Sequence, residues 1–311
     1  MIRAVRASAV GAIAAIEDLG LLRVPDSLPV FDGDLNDALE IERIAGDTRS
    51  IANIVEDAPV GNAIRAAERL GCVVLPMESE LGRHLGLSLR VDAVPVIRVA
   101  RSAGSADDVP GDRQRFTVAH ELGHLVLHSG LGQPVSPADA TRREQEAHRF
   151  ASSFLAPGDA IMSDLDLLGG RVTLNTLSKL KSKWGFSIKA FVVRFRQLGV
   201  IDDDQARSLY KQISSRRWNK HEPVDVGGEA AVWLPKALAK AYGSSSMRAE
   251  RAAREHADLA WTYIDRWTQW ATDGSSKIAA VTELQPRKRQ EQASIATGDA
   301  PVILLANRRR G

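Results

Sequence analysis

The sequence predicts an α+β fold, and three observations predict it. Two short β-branched runs, residues 72–75 (CVVL, closed by Pro76) and 95–100 (PVIRVA), have strand character. Around them lie long patterns of apolar residues at helical spacing, the strongest at 116–128 and 142–155. Two strands among so many helices make a small sheet packed by helices.

The elements follow in order. Residues 1–23 read as a helix, and 24–34 (VPDSLPVFDGD) as a linker rich in Pro, Asp and Gly. Ala7 to Ile16 is apolar behind Arg3 and Arg6, but Glu17 and Asp18 close it where a secretory signal needs small residues, so an amphipathic helix is expected. Helices are expected over 37–56 and 61–70, the second stopped by Gly71. A polar loop over 104–111 leads into the two strong helices, and Pro157 and Gly158 end the second. Residues 173–198 hold two helices broken at Gly185, and 203–213 a third. After residue 222 comes a Pro/Gly-rich stretch, a helix over 247–271 and a polar tail. The expected units are therefore 1–44 (helical lead-in and linker), 45–165, 166–222 (helical) and 223–311 (helix and tail).

Composition limits the function. Apolar residues at 44% and charged residues at 26% are sufficient for a buried core. A net charge of +2, from 41 Lys and Arg against 39 Asp and Glu, gives no global argument for nucleic-acid binding. The single cysteine, Cys72, excludes a disulfide framework and a Cys-rich zinc finger, and it fits a cytoplasmic, reducing setting. No run approaches the ~18 apolar residues of a membrane span.

The chemistry concentrates in His120-Glu121-Leu122-Gly123-His124. Residues four apart share a helix face, so both imidazoles can approach one ion while Glu121 reaches a water beside it. Flanking apolar residues bury the helix, and histidines turned into such an interior need a partner. A zinc ion needs a third protein ligand and an open position. His128 continues the stripe, but it stands about 12 Å along the axis from His120 at 1.5 Å per residue. It is expected to support the site or end the helix. On the next helix, the apolar face defined by Ala147, Phe150, Ala151, Phe154 and Leu155 puts Glu144 about 50° from its centre and Glu146 about 110° away. Glu144 is therefore expected to point inward as third ligand, with Glu146 as the alternative and His148 as a neighbour of the site.

FTVAHELGHLVLH (116–128) followed by EQEAHRFASSFLAP (144–157) resembles the ImmA/IrrE family of metallo-endopeptidases over roughly residues 45–215. The resemblance implies a zincin-like domain with Zn2+ held by His120, His124 and Glu144, and Glu121 as the catalytic acid–base residue. His148 and Ala156 depart from the commonest form of the second motif, where Asn and Met are usual; neither departure removes a ligand. The implied substrate is a specific protein, a helix-turn-helix repressor in mobile-element or stress control. The alternative is a non-proteolytic transcriptional regulator that retains the zinc site.

Residues 174–198 also resemble a helix-turn-helix, with Ser187 opening the second helix. Residues 179–220 carry eleven Lys and Arg against three acids. A DNA-contacting surface with Lys189, Arg194 and Arg196 on the recognition helix is one reading. The other is a packing module, since Phe186, Ile188, Phe191, Val192 and Phe195 can dock on the peptidase. The stripe of Trp261, Ile264, Trp267 and Trp270 is expected to be core, and the clusters at 287–289 and 308–310 solvated tail.

Overall fold

The computed structural model describes residues 2–21, 28–31, 35, 37–77, 85–101, 109–243, 245–256 and 261–270. Most of the expected loop at 104–111, part of the expected linker and the tail clusters lie outside the described residues.

Helix α1 (Ile2–Asp18) precedes α2 (Ala38–Ile51) and α3 (Ala63–Arg69). Asp37 and Asn62 cap α2 and α3 by accepting from backbone N–H groups of the first turn. Three strands follow: β1 (Val73–Pro76), β2 (Gly86–Val91) and β3 (Val94–Val99). The sheet order is β1-β3-β2, with β1 parallel and β2 antiparallel to β3. Strand β2 was not expected from the sequence, although GLSLRV alternates and Asp92 makes the tight turn at a φ of 51°. It forms one edge of the sheet.

Helices α4 (Gly111–Leu127) and α5 (Pro137–Leu155) are the two strong predicted helices, each starting several residues earlier than expected. Ser136 caps α5 and Pro137 occupies its first turn, both favourable starts. Helix α6 (Gly158–Leu167) was not anticipated. Helices α7 (Leu174–Trp184), α8 (Ile188–Gln197) and α9 (Asp203–Ser215) follow, with Gly185 at a φ of 62° closing α7. The chain continues through α10 (Trp233–Tyr242), also not anticipated, α11 (Ser246–His256) and α12 (Trp261–Gln269).

Strand alternation sends the sheet into two cores. Val74, Ile97 and Val99 face a large core with α2 to α9, in which Phe150, Phe154, Trp184 and Phe191 are buried. Val73, Leu75 and Val96 face a second core made by α1 with α10, α11 and α12, including Ile264 and Trp267. Both ends of the described chain therefore meet on one face of the sheet. On that face Arg98, fully buried, donates to the Pro76 carbonyl and the Ser8 hydroxyl. No helix among the described residues is long and apolar enough to cross a membrane.

Candidate metal centre

Helix α4 lies between α5 on one side and β2 and β3 on the other. Two glycines set those approaches. A Cβ at Gly123 would come within 3.0 Å of the Phe150 ring and 3.3 Å of the Ala147 backbone, so its absence lets α5 close on α4. A Cβ at Gly86 would collide with the Thr117 methyl and lie 3.0 Å from Glu121, so its absence lets β2 close on the other side.

The contact with α5 brings three donors together. His120 Nε2 and His124 Nε2 are 3.2 Å apart. Glu144 reaches both, with Oε2 3.2 Å from His120 Nε2 and Oε1 3.3 Å from His124 Nε2. His120, His124 and Glu144 form a group with the spacing of metal ligands. Bonds of 2.0–2.2 Å in a tetrahedral zinc site put neighbouring donors about 3.4 Å apart, close to this triangle. Burial and the neighbouring histidines push His120 down to about 3 and His124 down to about 4, so both imidazoles are neutral and have lone pairs to give. The donor set fits a divalent ion of zinc type.

The expected burial of the two glutamates is reversed. The Glu144 side chain is 58% exposed, whereas that of Glu146 is 8% exposed. The apolar face used for the expectation belongs to the C-terminal half of α5, which packs in the core. Its N-terminal half is largely exposed to solvent, so the same angular reckoning does not apply to Glu144 there. Glu144 remains the residue that meets the histidines, for a reason different from the one expected.

Glu146 serves His128 instead. His124 Nδ1 is 3.0 Å from His128 Nδ1, and His128 Nε2 is 2.9 Å from Glu146 Oε2. Arg142 donates to the other Glu146 oxygen at 2.6 Å. His128 is also the residue that ends α4, so both expected roles meet in it. His120 Nδ1 is buried without a hydrogen-bond partner among the described residues. Its ring is held by contact with His148 at 4.5 Å and stacking on Phe116 at 6.5 Å.

Glu121, next to His120 on α4, turns from the donor triangle toward β2 and stays close enough to feel the charge of Glu144. Ser88 Oγ donates to its Oε2 at 2.6 Å. Burial, reinforced by Glu144 and opposed by the Ser88 hydrogen bonds, pushes Glu121 up to about 7. A carboxyl poised there can take and return a proton at neutral pH. Ser88 and Gly86 were missed in the sequence; the signal was the alternation of β2, whose even-numbered residues face α4.

Residues 67–196 match the family model Peptidase_M78, described as an IrrE N-terminal-like domain. This span is similar to the ImmA/IrrE metallopeptidase family. The match starts in α3, contains all three strands and the candidate metal centre, and runs through α7 into α8. Helices α6 and α7 and all but the last residue of α8 therefore lie inside the matched span. No curated protein matches the chain.

Part of the basic segment behind the helix-turn-helix resemblance is taken up by ion pairs within the fold. Arg194 is fully buried, paired with Glu42 through both terminal nitrogens and donating to the Ala156 carbonyl at 3.0 Å. Lys181 bridges Asp112 and Glu222 at 2.7 and 2.8 Å, and Lys183 holds Asp164 at 2.7 Å. Arg196 pairs with Asp203 at 3.2 Å on the surface. The apolar residues of α8 face the large core.

Proposed function

We propose that this protein is a zinc-dependent endopeptidase of the cytoplasm that cleaves a specific protein, a helix-turn-helix repressor being the substrate its family resemblance implies. The observation that carries the reading is the donor triangle of His120, His124 and Glu144 with Glu121 beside it. Two neutral imidazoles and one carboxylate leave a fourth position of a tetrahedral ion open, which suits catalysis better than a closed structural site. Bound there, zinc would supply Lewis acidity, polarising a scissile carbonyl and acidifying a water.

The chain's own groups handle the protons. Glu121, with its carboxyl near neutrality, takes a proton from the attacking water and delivers it to the departing amine. Ser88 holds that carboxylate by hydrogen bonding. With His124 Nε2 committed to the ion, its remaining proton sits on Nδ1 and is donated to His128 Nδ1. His128 then carries its own proton on Nε2 and donates it to Glu146, which Arg142 holds. This chain of donors fixes the tautomer and the ring orientation of His124. Edge strand β2 leaves backbone groups available for pairing with an extended substrate.

The decisive experiment is Glu121→Gln, which preserves shape and removes the base. Zinc content should stay at one per chain while cleavage of the cognate protein stops. If the substitution leaves the protein's regulatory effect in cells intact, the non-proteolytic regulator is the correct reading.

A further inference from the structure

A cleft of about 880 Å³ lies next to the candidate metal centre, which its lining reaches through Phe116 and His148. Both side chains also contact the ring of His120. From there it runs between the N-terminal ends of α4 and α8 and the segment from Trp218 to Val226. Arg217, just before that segment, and Val224 within it are non-glycine residues of positive φ, at 58° and 68°. A β-branched residue in that region is strained, and such strain collects where a binding wall is held in shape.

The charges along the cleft are unequally committed. Asp112 and Glu222 are both consumed by Lys181, and Glu222 also accepts from the backbone N–H groups of Ile188 and Lys189. Arg113, Lys189 and Lys220 line the same cleft and have no carboxylate partner among the described residues. Asp225 is the one lining acid without a cationic partner there. Phe116, Val193 and Trp218 add apolar surface to the lining of the same cleft.

We infer that this cleft receives the flank of the substrate polypeptide, and that it selects a segment carrying acidic side chains beside an aromatic or aliphatic one. The inference rests on the endopeptidase reading for the word substrate, while the binding preference itself does not need catalysis. Carboxylates would meet Lys189 and Lys220, and the apolar side chain would pack against Trp218 and Phe116. A lysine-rich segment would face like charges, whose juxtaposition penalises the wrong partner.

Two fluorescein-labelled octapeptides test this, one alternating Glu and Phe and one alternating Lys and Phe. Each is titrated by anisotropy against the full-length, zinc-loaded Glu121→Gln protein. The acidic peptide should bind at least about tenfold more tightly at low salt, and the difference should shrink in 0.5 M salt, where the Debye length falls to a few ångströms. Lys189→Glu with Lys220→Glu should invert the preference. Lys211→Glu with Lys236→Glu, the same charge change away from the cleft, should leave it. If the reversed pair folds poorly, Lys189→Gln with Lys220→Gln should abolish the preference without inverting it. Equal binding of the two peptides, or an equal effect of the distant pair, overturns the inference. The same titration on zinc-free wild-type protein separates the two readings: a surviving preference with no zinc-dependent cleavage sinks the enzyme and leaves the cleft's selectivity standing.

Discussion

His128 stands too far along α4 to share an ion with His120, yet its substitution should be felt at the metal. It links the His124 Nδ1 atom to the carboxylate of Glu146. Removing such an outer partner weakens metal affinity by about 10–100-fold. His128→Ala and Glu146→Ala should each do so in a chelator competition, and the double variant should add little, because the two act in one chain. Affinities unchanged in both variants would reduce the relay to packing. Glu144→Ala, His120→Ala and His124→Ala should lose the ion outright, which elemental analysis reads directly. Full zinc in any of the three removes that residue from the ligand set.

At the scale of elements, the site depends on how closely three of them approach. Gly123→Ala gains about 0.5–1 kcal/mol of intrinsic helix preference. It also places a methyl against Phe150 and Ala147, so α5 must move away from α4. The expected outcome is a weaker zinc site in a protein that still folds, measured by chelator competition alongside circular dichroism. Zinc affinity equal to wild type would mean that the ring of Phe150 yields instead of the helix. Helix α8 is held in the same manner by Arg194. Arg194→Ala strips Glu42 and the Ala156 carbonyl of their buried partner and should cost about 3 kcal/mol. Urea unfolding should show this as a lower midpoint at constant slope. A guanidinium so placed is not available to a phosphate backbone while the helix stays docked.

Across the whole molecule, one sheet serves two cores, and Cys72 lies with the large one, buried beside β1. Burial pushes its thiol up to about 12, so the thiolate that reacts with alkylating agents is scarce at pH 8. Iodoacetamide should leave the native protein unmodified and label it completely in denaturant. Rapid native labelling would mean that the sheet opens on the time scale of the reaction. On the opposite face Trp267 is buried against the N-terminal helix and the other C-terminal helices. Trp267→Ala should cost about 3–5 kcal/mol. Loss of α1 should destabilise the C-terminal helices too, since they share that core; hydrogen exchange in α10 and α12 would reveal it, and unchanged protection would show that α1 contributes little.

The sequence alone determined the helices that carry the chemistry, because a 3.6-residue period and the pairs of histidines four apart are local properties that survive without the fold. His120, Glu121 and His124 were legible for that reason, and the strand runs of β1 and β3 for the matching one. The partners those residues meet were decided only in three dimensions. Glu144 and Glu146 differ by two positions on one helix, and no periodicity says which of them stays exposed beside His120 and His124 and which is buried on His128. Strand β2 is half-buried and weakly patterned, so Ser88 and Gly86 became visible only once β2 lay against α4. The basic run of residues 179–220 reads the same whether its charges face solvent or acids. Tertiary packing set Arg194 on Glu42, 152 positions away, and left Lys189 and Lys220 without a carboxylate partner among the described residues. Long-range pairing of this kind depends on the path of the chain through space, which local spacing does not encode.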